Sequence, residues 1–260
     1  VIEICYKINN MIKVSTKIYC DNRNGHNKKK KIFFLVSLIV ILGSLAFAQN
    51  TNSSMKSMDH NNMKMGISST NVMTPVENII SKKFNSYEKY EEYAHQIMMA
   101  DNSKYLTNDS GNIFAVYMTL HHEAAIITSL GIKDITVDPD VIKLADGIAK
   151  GQIKEVKEMQ KLISSKVLKG NYSRGFDDEM ESIMDSMMSE MDIPNYALSS
   201  TEGTKLFLEN MIVHHEGAIE MAEAYIKVGK TPKLLKICND ILKTQGKEIE
   251  QMQKMLELYK

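Results

Sequence analysis

The sequence predicts an all-α chain, a four-helix bundle built from two αα-hairpin repeats with an extra helix before each repeat. Three observations carry that expectation. Pro is scarce and Trp absent while Lys, Glu, Met and Leu abound, a composition that favours helix. Apolar residues recur at spacings of three and four through most of the chain, the period of an amphipathic helix. The third is an internal duplication. Met118, His121, His122, Pro139, Gln152, Glu155 and Met159 recur 93 residues later as Met211, His214, His215, Pro232, Gln245, Glu248 and Met252. The alignment needs no gap from Met118 to Ile163, so the loop length repeats along with the helices. Each unit is a helical hairpin, and pairing two of them gives each apolar stripe a partner.

The elements follow in order. Lys28 to Lys31, the apolar run Ile32 to Leu42 and Ala46-Phe47-Ala48 have the layout of a signal peptide cleaved after Ala48. The apolar run is too short for a comfortable membrane span, and no stable span is expected after cleavage; a retained anchor is the alternative. Residues 1–26 are long for an n-region and read as an extension from a misplaced start. Cleavage would remove Cys5 and Cys20 and leave Cys238 as a buried thiol, so stability must come from the core rather than from disulfides.

Residues 49–73 are rich in Asn, Ser, Lys and Met and read as a disordered leader. Its Met55, Met58, His60, Met63 and Met65 have no apolar face to join, so they are candidate metal-capturing groups. Thr74-Pro75 opens a helical pattern to Met99, and Asp109-Ser110-Gly111 caps the next helix, to about Gly131. Asp138-Pro139 starts another that ends near Leu168. A connector from Gly170 to Gly175 leads to a short helix, Asp177 to Met191, whose stripe is Met180, Met184, Met187, Met188 and Met191. Gap filling and contact with a soft metal both suit that stripe. Ser200-Thr201-Glu202 starts the second His-His helix, ending near Gly229, and Thr231-Pro232 starts the last, to Lys260. The folded domain thus spans 74–260, with repeat one at 111–168 and repeat two at 202–260.

Charge excludes one class of partner. Lys plus Arg number 32, equal to Asp plus Glu, so no basic footprint for nucleic acid exists. No Ser-His-Asp, Cys-His or Gly-rich phosphate signature supports hydrolase or nucleotide chemistry, and the chain is read as a binder rather than an enzyme. Methionine is the compositional outlier at 19 residues. On helical spacing Met211, His214 and Met221 share one stripe, with His215 about 100° round the axis. Thioether sulfur selects Cu(I), and imidazole tolerates either copper state. Met118, His121 and His122 are a weaker set, since Thr128 stands where repeat two has Met221. Adjacent histidines diverge, so one of each pair is expected to serve the metal and the other a hydrogen bond or a different site. Gln152, Glu155, Gln245 and Glu248 share faces of the second helices and could orient the imidazoles or line a solvated edge.

The string from Phe207 through Met211, His214, His215, Gly217 and Met221 to Ala222, followed by Gln245, Glu248 and Met252, resembles the duplicated M-x-x-H-H copper-binding proteins of the bacterial envelope, the CopM-like family. The resemblance covers about 113–260. It implies a ferritin-like helical bundle in the periplasm and copper binding or tolerance. Met211, His214, His215 and Met221 would be ligands, with Met118, His121 and His122 behind them. A copper exporter or another envelope copper protein would be the delivery partner. Two departures stand out: Thr128, and Ala124 in place of Gly217. Two other readings stay open at this stage. A di-iron or di-manganese oxidoreductase needs two Glu-x-x-His motifs, and only Glu92-Tyr93-Ala94-His95 has that spacing. A metal-free helical scaffold would use the histidines as core hydrogen-bonders.

Overall fold

The structure, a computed structural model, describes residues 71–169 and 171–259. The expected signal peptide and the stretch of the expected leader up to residue 70, with Met55, Met58, His60, Met63 and Met65, lie outside the described residues. Seven α-helices follow: α1 (Val76–Ile80), α2 (Tyr87–Met98), α3 (Ser110–Ile132), α4 (Pro139–Ser165), α5 (Phe176–Glu190), α6 (Ser200–Val228) and α7 (Pro232–Leu256). Among the described residues there is no strand.

Local chemistry sets the helix ends. Asp109 accepts from the backbone N–H groups of Gly111 and Asn112, and Asp138 from those of Asp140 and Val141, which satisfies donors that a helix start leaves orphaned. Ser199 and Glu202 close a reciprocal capping box on α6. Pro139 and Pro232 occupy the first turns of α4 and α7, where a missing N–H costs nothing.

Two expectations change. The helical pattern from Thr74 to Met99 is two helices, because the chain breaks at Ser81 to Ser86 and Phe84 turns inward, edge-on to Tyr90 at 5.0 Å. The folded domain also starts earlier than Thr74. Val72 is fully buried and its N–H donates to Asn102 Oδ1 at 2.7 Å, while Gln160 Nε2 donates to the carbonyls of Val72 and Thr74. A polar stretch is ordered here by long-range bonds that local composition does not reveal.

The bundle is made of two hairpins, α3 with α4 and α6 with α7, joined face to face through α3 and α6. α3 and α6 run antiparallel. The start of α3 meets the end of α6 where Phe114 stacks on Tyr225 at 4.7 Å, and the other ends meet where the Ser200 hydroxyl donates to the Ile135 carbonyl at 2.9 Å. α2 covers α3, and α5 lies along α6 while also touching α3. α3 is long and apolar enough to cross a membrane by length and composition, but most of its residues are buried by its neighbours. That makes it the core helix of the bundle, apolar on every side because it is covered on every side.

Candidate metal centre

Duplication and antiparallel pairing place the two His-His turns against each other at the middle of the bundle. The His121 and His214 rings meet with centroids 3.6 Å apart and planes inclined by 48°. All four imidazoles, His121, His122, His214 and His215, are buried. The repeats then divide the labour as the divergence of adjacent helical residues requires. His122 Nε2 lies 2.8 Å from Glu155 Oε2, and His215 Nε2 lies 2.9 Å from Glu248 Oε2. A carboxylate can only accept, so Nε2 carries the hydrogen in each pair. Neither Nδ1 has a hydrogen-bonding protein partner. Glu155 and Glu248 therefore orient imidazoles, which resolves the choice between that role and a solvated edge.

His121 and His214 lack such partners: no ring nitrogen of either makes a hydrogen bond. Burial pushes both well below the ordinary imidazole range, and the neighbouring imidazoles add to it. Both rings are neutral and hold a lone pair. An unpaired buried polar group costs about 1–3 kcal/mol, so a fold selected for stability alone would place apolar side chains here.

One face of His214 opens on a small cavity, about 10 Å³, with room for a single water or ion. It is lined by Met211 and His214 of α6, Met191 after α5, Glu91 of α2, Thr128 of α3 and Asn210. Met191 comes from the methionine stripe for which the sequence left gap filling and metal contact open, and Glu91 is a site member that sequence reasoning missed. Glu91 could have been found as an acid between Tyr87, Tyr90 and Ala94 on the core-facing stripe of α2. Its carboxyl accepts from the Tyr87 hydroxyl at 2.5 Å and from Asn210 Nδ2 at 3.3 Å, and burial raises it to about 7.

The stripe Met211, His214 and Met221 is divided. Met211 and His214 share the cavity, but Met221 does not line it. Antiparallel pairing explains why, since residues after His214 meet residues before His121, which carries Met221 toward Phe114 and Met118. Met118 is buried one turn before His121. The place of Gly217 is explained too: a methyl there would lie 2.9 Å from Met187 Sδ. Its counterpart Ala124 lines the cavity beside Ala94. Cys238 is buried in α7, and burial raises its thiol to about 12, which makes it an inert core member.

Carboxylates do not gather into a second kind of centre. Among the described residues, no group of three or more His, Cys, Asp or Glu side chains converges closely enough to hold an ion. Glu92 of the single Glu-x-x-His motif instead pairs with Lys89 at 2.6 Å on the surface. Thioethers plus unpartnered imidazoles are the donor set that the core provides.

The fold and the centre define a class: an all-α bundle of two duplicated hairpins with paired histidines on the internal axis. The chain belongs to the family described as Domain of unknown function (DUF305), whose pattern matches residues 112–256. A solved structure with likeness to it is the "Crystal structure of putative secreted protein DUF305 from Streptomyces coelicolor". That structure is 21% identical, with a TM-score of 0.48, over 59% of this chain and 96% of the other. No curated protein matches the chain.

Proposed function

We propose that this protein is a copper-binding protein of the periplasm or cell exterior that sequesters Cu(I), or hands it on, through thioether and imidazole ligands. One observation carries the reading: a cavity of ion size lined by Met191, Met211 and His214, whose ring nitrogens have no protein partner. Soft sulfur and neutral imidazole suit a d¹⁰ monovalent ion. A neutral, buried His214 needs no proton removed before it ligates, because burial has already depressed its basicity. Met211 and His214 would hold the ion directly with Met191. His121, its ring against His214, would respond to any movement of that ring. His122 and His215 are oriented by carboxylates, so they hold the flanking turns in register and keep a free Nδ1 each.

Supporting context comes from the N-terminal sequence, whose basic run, apolar run and A-x-A site suit export. Met55, Met58, Met63 and Met65, which precede the described domain in sequence, would add further soft donors for ion capture. Binding and release by ligand exchange need no catalytic step, which fits the absence of a nucleophile and base pair from the reading of the sequence.

Competition of the chain with a Cu(I) chelator tests the proposal. Replacing Met211 by Leu and His214 by Ala together is expected to weaken retention at least about tenfold, since even supporting residues around a metal contribute that much. Unchanged affinity in the double variant would reject the cavity as the site.

A further inference from the structure

The four imidazoles and the cavity leave one concentration of soft donors unused: the buried methionines of α5. Three contacts fix how this helix lies. Phe176 sits with its ring centroid 6.2 Å from that of Tyr225, Met187 presses on Gly217, and the N–H of Asp192 donates to Asn210 Oδ1 at 3.0 Å. α5 therefore runs antiparallel to α6. Met184 falls between the levels of Gly217 and Tyr225, where α6 carries Met221. Met184, Met187, Met221 and Met118 are all buried. Met118 is one turn from His121, which like His214 has no protein partner for either ring nitrogen.

Packing asks only for apolar side chains along that seam, which Leu or Ile would satisfy with better-defined rotamers. The seam instead holds thioethers on three helices. At the symmetry-related place beside His214, the corresponding positions are Glu91, Ala94, Thr128 and Met211 around the open cavity. Sulfur thus replaces a carboxyl, a methyl and a hydroxyl on the His121 side. Outside the seam, between α5 and α6, lies a groove of about 310 Å³. Glu179, Glu220 and Glu223 rim it with a single cation, Lys227, while Ile183 and Ala224 floor it. Such a rim raises the local concentration of cations.

We infer that Met118, Met184, Met187 and Met221, with His121, form a second Cu(I)-binding position at the α3–α5–α6 seam, reached from the acidic groove. It deepens the proposed function and rests on the reading of the protein as a Cu(I) binder, but it uses a separate set of sulfurs. Met187 is in the last turn of α5 and Met191 directly follows the helix, so this segment also links the position to the cavity beside His214.

The test uses the full chain with methionine methyls labelled in ¹³C and Ag(I) as a redox-inert d¹⁰ probe. The Met184, Met187 and Met221 methyl signals are expected to move together as one set, and Met191 and Met211 as another. Met184→Leu with Met187→Leu conserves volume and should lower the bound Ag(I) by one ion per chain, leaving the Met211 response intact. Met159→Leu, buried in α4, is the folding control. Methyls of Met184 and Met187 that stay still while Met211 responds would overturn this inference alone. The reverse pattern would overturn the cavity beside His214 alone. An unchanged ion count in the double variant would overturn the inference, and a chain that binds no Ag(I) would overturn both.

Discussion

Glu91 concentrates the electrostatic tension of the core in one side chain. Its carboxyl is buried beside His214, held by Tyr87 and Asn210, and raised by burial to about 7 against an ordinary 4.5. A carboxyl with a raised value keeps its proton in the folded chain while the unfolded chain releases it. Its contribution to stability is complete below about 4.5 and is lost as pH rises toward 7. Glu91→Gln removes that dependence. The stability of this variant relative to the parent should therefore rise between about pH 4.5 and 7 by roughly 3 kcal/mol and be level outside that window, as urea unfolding at a series of pH values would read. A constant difference across the window would show that Glu91 is ionised in the folded chain. His121 and His214 act in the opposite direction. Their depressed basicity leaves the folded chain neutral while the unfolded chain gains protons below about 6.5, so their contribution is lost as pH falls.

Helix α5 is where sequence and fold diverge most. Gly217 lies where Met187 seats, and a methyl added there would meet Sδ at 2.9 Å. Gly217→Ala sets a gain in helix propensity of about 1 kcal/mol against overpacking of about 1–3 kcal/mol. The thermal midpoint should fall, and Gly217→Ala should lower it less in a chain that already carries Met187→Ala. A rise in midpoint for Gly217→Ala alone would mean that Met187 moves aside freely. The hairpins themselves were legible, because a gap-free repeat with both prolines leaves little choice of topology. Caps at Asp109, Asp138 and the Ser199–Glu202 pair were readable within a residue. The repeat's reach into the flanking helices was not. At the same 93-residue offset Met98 answers to Met191, but Ala94 answers to Met187 and Glu91 to Met184, so the core-facing positions of α2 and α5 mostly differ. Ala94 with Ala124, and Met187 with Gly217, fill equivalent space by different size pairings, which a one-dimensional comparison cannot weigh.

At the scale of the whole molecule, an internal twofold brings His121 onto His214 and directs the two repeats' donors to opposite sides of that pair. Helical periodicity groups Met211, His214 and Met221 because it sees one helix at a time. The antiparallel crossing of α3 and α6 separates them, and no sequence pattern specifies that crossing before the core is packed. Two unequal halves result. Beside His214 are a cavity, two thioethers and a carboxyl; beside His121 is a seam of methionine. Retaining neutral imidazoles without partners at the centre of a bundle is costly to the fold, and the soft ion proposed above would have donors in both halves. Crystals of the protein grown with Ag(I) offer the most direct check through an anomalous difference map. The account predicts a peak within bonding distance of Met211 Sδ and a His214 ring nitrogen, on the side of Met191. Peaks confined to the surface, with the His214 cavity empty at saturating Ag(I), would contradict it.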